Sequence, residues 1–201
     1  MKRNICFIIS IVCLCCFIFA GCSSAEPVLT PEPVEFNAME DDTDEIYSVN
    51  KNLPSGYTLC LPYVEYTTYD ECREYARKRE DHMVHEIEIS KGEDLVFTVD
   101  FFNRSESYKK YLESMKEKAS KGPDSNSEIV KLIKENSSDN LNYALFSVEL
   151  PYAKSEPHAD YFLFIGEFPK SQNTAFDVRS YTTQKEAEKL FDALDMKYLH
   201  E

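Results

Sequence analysis

Residues 161–168 decide the fold class, and they read Tyr161-Phe162-Leu163-Phe164-Ile165-Gly166-Glu167-Phe168. Successive side chains of a strand point to opposite faces of the sheet, so the four apolar residues at 162–165 need cover on both faces. Further strand patterns lie at residues 141–150 and 176–181. These segments predict a sheet with helices on both sides.

The middle of the chain adds strands to this sheet. Residues 57–61 alternate apolar with other side chains, the period of a half-buried strand, and Pro62 ends it. A hairpin is predicted at residues 84–90 and 95–102, across a glycine-containing turn. With the three segments of the last third, these strands predict an α+β fold with a mainly antiparallel, six-stranded sheet sandwiched by helices.

Four segments predict helices. Thr68 and Glu71 have the spacing of a capping box, so the first helix begins there and extends to about residue 81. The second ends at Gly122, and its apolar residues recur at helical spacing at Tyr108, Tyr111, Leu112, Met115 and Ala119. A short third helix is predicted from about residue 125, carrying Ile129, Val130, Leu132 and Ile133. Another capping box, at Thr183 and Glu186, predicts a closing helix with the core face Ala187, Leu190, Phe191 and Leu194.

A resemblance to a known family begins at the first strand of this domain. The segment at 53–62 looks like the glycine, aromatic, strand and proline opening of Mog1/PsbP-like domains, and it reads Leu53-Pro54-Ser55-Gly56-Tyr57-Thr58-Leu59-Cys60-Leu61-Pro62. The order of elements over about residues 53–198 is also similar, although the tryptophan that often follows the proline is missing here. The resemblance implies an antiparallel sheet between helices. It implies no catalytic residues, because the family includes binding and assembly factors.

The N-terminus has the features of a lipoprotein signal peptide. Lys2 and Arg3 precede an apolar run at residues 5–19, which is shorter than the roughly 20 residues that a membrane-spanning helix needs. The run ends in a segment that resembles a bacterial lipobox, Phe19-Ala20-Gly21-Cys22, with phenylalanine where leucine is usual. This pattern predicts removal of residues 1–21 and lipidation of Cys22. An ordinary cleaved signal and an uncleaved anchor are the alternatives.

The expected localisation of the mature protein is the extracytoplasmic face of the cell membrane, or the outer membrane in a diderm host. Residues 22–52 are rich in proline and acidic side chains, which predicts a solvated tether, and residues 53–201 then form a single globular domain. The chain has a net charge of -14. Such a charge repels nucleic acid and anionic lipid headgroups, so the expected contact with the membrane is the N-terminal lipid.

Two cysteines remain in the domain after the signal peptide and the lipidated residue are set aside. They are Cys60, in a predicted strand, and Cys72, in the helix that follows. An exported pair is a candidate disulfide, and closing a loop of this size contributes about 3 kcal/mol when the geometry is unstrained. Two free thiols that pack as small apolar side chains are the alternative.

Few residues suggest catalysis or the binding of a metal or cofactor. His158 and Asp160 are a candidate acid–base pair, so a hydrolase is the alternative function, but no nucleophile motif accompanies them. His82 and His85 straddle a predicted helix end and strand start and share no predictable face, so no metal site is expected. The five glycines form no phosphate-binding loop, and no cofactor is expected.

Four tyrosines are the candidate binding residues. Tyr63, Tyr66 and Tyr69 recur at every third position, and Tyr152 opens a loop that we expect at the same end of the sheet. Tyrosine is enriched at protein interfaces, although half-buried rings at the edge of a core give the same pattern. The sequence thus predicts a non-enzymatic binding or assembly module that recognises an envelope or exported protein.

Overall fold

Strands dominate the part of the chain that the structure describes. The computed structural model describes residues 30–36, 38, 46–60, 86–104, 106–122, 128–154 and 159–199, and Pro31–Glu201 forms one compact unit. In chain order the elements are β1 (Pro33–Phe36), β2 (Ile46–Asn50), β3 (Tyr57–Cys60), β4 (Glu86–Lys91), β5 (Asp94–Asn103), α1 (Glu106–Lys121), β6 (Ile129–Asn136), β7 (Asn142–Glu149), a 3-10 turn (Pro151–Ala153), β8 (Asp160–Glu167), β9 (Thr174–Ser180), α2 (Gln184–Leu194) and β10 (Lys197–Leu199).

The larger sheet has the strand order β3-β4-β5-β9-β8-β7-β6, and every neighbouring pair in it is antiparallel. The prediction of an α+β fold with a large antiparallel sheet is confirmed. Asn142 pairs with Glu167, and Asn103 pairs with Thr174, at one end of this sheet, which we call the Asn142 end. Glu149 pairs with Asp160 at the other end, which we call the Glu149 end.

The predicted number of six strands is wrong, since seven described strands form the larger sheet. The additional strand is β6, where the sequence predicted a short helix carrying Ile129, Val130, Leu132 and Ile133. Apolar residues at these positions fit either a helix face or an interrupted strand. A β-bulge between Leu132 and Lys134 shifts the pairing with β7, and this shift breaks the period of two that identifies a strand.

The two faces of the larger sheet are covered by different elements. On one face, α2 and a smaller sheet pack over a core that includes Phe97, Phe164, Phe176, Leu190 and Phe191. On the other face, α1 covers a second core with Met115, Phe146, Val148, Leu163 and Ile165. The doubly apolar strand β8 supplies both cores through alternate residues, as its sequence predicted.

One predicted boundary of each described helix is confirmed, namely the start of α2 and the end of α1. The Thr183 side chain accepts a hydrogen bond from the Glu186 backbone N–H at the start of α2. At the end of α1, Gly122 has a φ of 75°, the left-handed conformation that favours glycine after a helix. The helix predicted over residues 68–81 lies outside the described residues.

The smaller sheet has the order β1-β2-β10, and its first two strands fall within the predicted tether. A solvated tether over the whole of residues 22–52 is therefore wrong, and the folded unit begins before residue 53. The side chains of Val34 and Phe36 in β1, and of Tyr47 and Val49 in β2, are buried in the core under α2. The Tyr47 hydroxyl also makes a buried hydrogen bond of 2.9 Å with Ser171 Oγ.

Candidate functional site: a groove beside helix α1

Most of the residues that the sequence singled out lie outside the described ranges. These are Cys22, Cys72, Tyr63, Tyr66, Tyr69, His82, His85 and His158. The structure places three of the predicted site residues, namely Cys60, Tyr152 and Asp160. It does not bring these three together.

Tyr152 is highly exposed, with 72% of its surface accessible, and it sits in the 3-10 turn after β7. This turn lies at the Glu149 end of the sheet, whereas β3 ends at Cys60, toward the Asn142 end. Four strands also separate β3 from β7 in the sheet order. The described strands therefore give no support to a single rim that unites Tyr152 with the tyrosines that follow Cys60.

The other two placed residues lie at strand ends. Asp160 is exposed at the start of β8, opposite Glu149. Cys60 is an exposed free thiol opposite Glu88 of β4, and because its predicted partner Cys72 lies outside the described residues, the disulfide stays a prediction. Within the described ranges, no group of three or more histidine, cysteine or acidic residues is arranged to hold a metal ion.

A groove of about 570 Å³ opens at the Asn142 end, between α1 and the ends of β6, β7 and β8. Volumes of this order are typical of ligand sites in proteins, at roughly 300–1,000 Å³. Its apolar lining includes Leu112 of α1, Ala144 of β7 and Ile165 of β8. Ala144 and Ile165 belong to the core under α1, so the floor is continuous with a packed part of the molecule.

Two ion pairs border this groove. Arg104 Nε lies 2.7 Å from Glu167 Oε2, and both side chains are more than two-thirds buried. Lys116 of α1 pairs with Glu135 of β6 and so joins the two walls. Glu113, one turn before Glu117 on α1, lines the groove and is exposed. A ligand there would meet an apolar floor between positive and negative groups.

Tyr108 is the titratable group in the groove whose pKa departs most from its ordinary value. Burial, and next the negative charge of Glu167, raise the pKa of this phenol to about 12. The hydroxyl is protonated at neutral pH, as that of an ordinary tyrosine is, and it can donate a hydrogen bond; the raised pKa extends this state to more alkaline pH. The groove thus contains a neutral donor and fixed charges.

A second polar region lies on the same face of the sheet, beside the area covered by α1. Strand pairing places Glu86 opposite Asp100 and Asp100 opposite Asp177. Two residues along each strand, Glu88 pairs with Thr98, and Thr98 pairs with Arg179. Paired residues point to the same face, so four carboxylates share this face with one guanidinium. We call these five charged residues the acidic patch.

Asp177 is the buried member of the acidic patch, with a side chain that is 10% exposed. Its Oδ2 lies 3.8 Å from Arg179 Nη2, and its Oδ1 has no hydrogen-bond partner among the described residues. Burial raises its pKa to about 6, Arg179 opposes this shift, and Asp100 adds to it through its charge and a hydrogen bond. Burial also raises the pKa of Glu86, with contributions from Asp100 and Glu88.

Sequence reasoning missed both the groove and the acidic patch. The groove joins residues from 104 to 167 that have no common motif, so no local pattern marks it. The acidic patch had a signal, because Glu86, Glu88 and Asp100 occupy alternate positions of two predicted strands and so share a face. Asp177 and Arg179 show the same alternation.

Comparison of the chain with known protein families, with curated proteins and with solved structures gave no match. The resemblance to Mog1/PsbP-like domains therefore stays a prediction from the sequence pattern. Among the described residues, no helix is both long enough and apolar enough to span a bilayer.

Proposed function

We propose that this chain is a lipid-anchored, extracytoplasmic lipoprotein that acts as a non-enzymatic binding or assembly module at the cell envelope. Anchoring is supported by the basic start, the apolar run at 5–19 and the Ala20-Gly21-Cys22 sequence. Binding is supported by one structural observation, the groove of about 570 Å³ beside α1. The partner is an envelope or exported protein.

A polypeptide partner suits the composition of the groove. Protein interfaces combine an apolar centre with a polar rim, and tyrosine and arginine are enriched in them. Here Leu112, Ala144 and Ile165 form the apolar floor, while the Arg104–Glu167 and Lys116–Glu135 pairs supply charges of both signs. A segment of a partner protein can place an apolar side chain on the floor and polar groups against these pairs.

The experiment is site-directed photo-crosslinking in the native cell. A photoreactive residue at position 113 of α1, in the groove, is compared with one at position 117, which is one turn further along the same helix and outside the groove lining. Both positions are exposed, so neither replacement disturbs the core. We expect one recurrent crosslinked protein from position 113 and at least a tenfold lower yield from position 117.

A matched pair of charge reversals tests the same surface without the photoreactive group. Glu113→Arg should weaken capture of that protein at least tenfold, whereas Glu117→Arg should leave it within twofold. Equal capture by both variants would contradict the groove, and loss of capture in Tyr152→Ala alone would move the site to the Glu149 end. Consumption of a substrate that stops in His158→Ala would replace the binding function with the hydrolase alternative.

A further inference from the structure

The acidic patch lacks sufficient positive charge among the described residues. Glu86, Glu88, Asp100 and Asp177 share one face with a single guanidinium, that of Arg179. Glu86, Glu88 and Asp100 are all partly buried, and Asp177 has an unsatisfied Oδ1. Partly buried carboxylates are costly unless they are paired with cations or hydrogen-bond donors. Asp177, the buried member with the unpaired Oδ1, is where a further cationic or hydrogen-bond-donating group fits this surface.

The chain topology brings one candidate segment to this surface. β3 ends at Cys60 and its neighbour β4 begins at Glu86, so the intervening 25 residues, 61–85, leave and return at adjacent strands. The opposite face of these strands is already filled, because Ile87 and Ile89 are fully buried in the core under α2. The face that carries the acidic patch is the one that remains for this connection.

The connection carries six carboxylates and four cationic side chains, and all four cationic side chains are concentrated in one short segment. Residues 73–79 contain four cationic side chains and one carboxylate, in the order Arg73-Glu74-Tyr75-Ala76-Arg77-Lys78-Arg79. In the helix that the sequence predicts over residues 68–81, Arg73 and Arg77 are four positions apart and share a face. We propose that the acidic patch is the docking surface for this basic segment of the same chain.

The position of Cys60 agrees with this docking. Cys60 pairs with Glu88, so its exposed thiol lies on the same face as the acidic patch. Cys72 directly precedes Arg73 in the sequence. A disulfide between Cys60 and Cys72, which the sequence predicts, would hold the start of the basic segment against that face. The docking itself rests on charge and topology and does not require the disulfide.

The first test measures the pKa of Asp177 by carbon-detected NMR in the full folded domain. The Asp177 carboxyl is faced by Asp100, Arg179, the Tyr111 phenol of α1 and the Tyr161 phenol of β8. Loss of nearby positive charge raises the pKa of a carboxyl. The combined variant Arg73→Gln, Arg77→Gln, Lys78→Gln and Arg79→Gln should raise the pKa of Asp177 by at least about 0.5 units.

A control variant removes the same number of charges from the other side of the sheet. It replaces Lys51, Lys185, Lys189 and Lys197, which belong to or flank α2 and the smaller sheet, by glutamine. The pKa of Asp177 should change by less than about 0.2 units in this control. Equal shifts in the two variants, or no shift in either, would overturn the proposal. A wild-type pKa that responds only to an added short arginine peptide would assign the patch to an external cation instead.

A double-mutant cycle gives a second readout that does not depend on resonance assignment. Glu88→Gln should lower the melting temperature of the wild type, because it removes a partner of the basic segment. The same substitution in the four-glutamine variant should raise the melting temperature, because repulsion among the remaining carboxylates is relieved. Additive effects of the two changes would contradict direct coupling between the acidic patch and residues 73–79.

Discussion

Two halves of one sheet face differ in how they are stabilised. Under α1, strands β7 and β8 present Phe146, Val148, Leu163 and Ile165, and these side chains are buried against the helix. On strands β4, β5 and β9, the same face presents the five charged residues of the acidic patch. The backbone pairing is continuous across both halves. The first half is therefore stabilised by packing, whereas the second carries an excess of negative charge among its described residues.

The largest expected effect is in the apolar half. Phe146 is fully buried, and Phe146→Ala should lower the free energy of unfolding by about 3–5 kcal/mol through lost burial and an incompletely filled cavity. Chemical denaturation checks this value. The exposed aromatic Tyr152 is the matched control, since Tyr152→Ala should change stability by less than about 0.5 kcal/mol. Similar losses for both would mean that the core under α1 is not packed as described.

The next effect is in the acidic half and depends on pH. The folded-state pKa of Asp177, about 6, is above the ordinary value of 3.8, so the folded protein binds the proton more tightly than the unfolded chain. The stabilisation from this proton is complete below about pH 4 and is lost as the pH rises through about 6, a change of up to about 3 kcal/mol. Asp177→Asn mimics the protonated acid and should remove this loss.

Chemical denaturation of the wild type and of Asp177→Asn at pH 4 and pH 8 tests whether ionisation of Asp177 destabilises the folded protein. The two proteins should have similar stability at pH 4, and the variant should be more stable at pH 8. A variant that is less stable than the wild type at pH 8 would show that the ionised carboxylate stabilises the fold. The acidic half would then resemble an ordinary buried ion pair.

The smallest of these stability effects concerns packing on the opposite face of the sheet, in the core under α2 that contains Phe176. A Cβ atom added at Gly166 would lie 2.6 Å from the Asn142 carbonyl oxygen and would also contact the Phe176 ring. Gly166→Ala should therefore destabilise the protein by about 1–3 kcal/mol, measured by thermal unfolding. Adding Phe176→Leu should recover part of the loss caused by Gly166→Ala. A neutral Gly166→Ala would contradict the close approach of β8 to β7 and β9.

Most of the larger sheet and both described helices were accessible from sequence. Strands β3, β4, β5, β7, β8 and β9 and the two helices follow from hydrophobic periodicity, turn residues and capping residues. The β6 prediction failed because the bulge between Leu132 and Lys134 interrupts the strand period. The first strands were missed because Val34 and Phe36, or Tyr47 and Val49, are too few residues to establish a period beside prolines and acidic residues.

The candidate site was harder to predict from the sequence than the fold, for a physical reason. Periodicity reports which face of an element is apolar, but it does not report how elements separated in the sequence meet. The groove depends on the approach of α1 to the ends of β6, β7 and β8, and the acidic patch depends on the register between β5 and β9. A shift of that register by one residue would move Asp177 to the other face.

Metabolic labelling with a clickable fatty-acid analogue tests most directly whether a lipid holds this folded unit at the cell envelope. Wild type and Cys22→Ser are expressed in the native cell, separated into membrane and soluble fractions, and examined for the label. We predict a labelled wild type in the membrane fraction and an unlabelled Cys22→Ser protein that is released or mislocalised. Equal labelling of the two proteins, or an unlabelled wild type, would contradict lipid anchoring at Cys22.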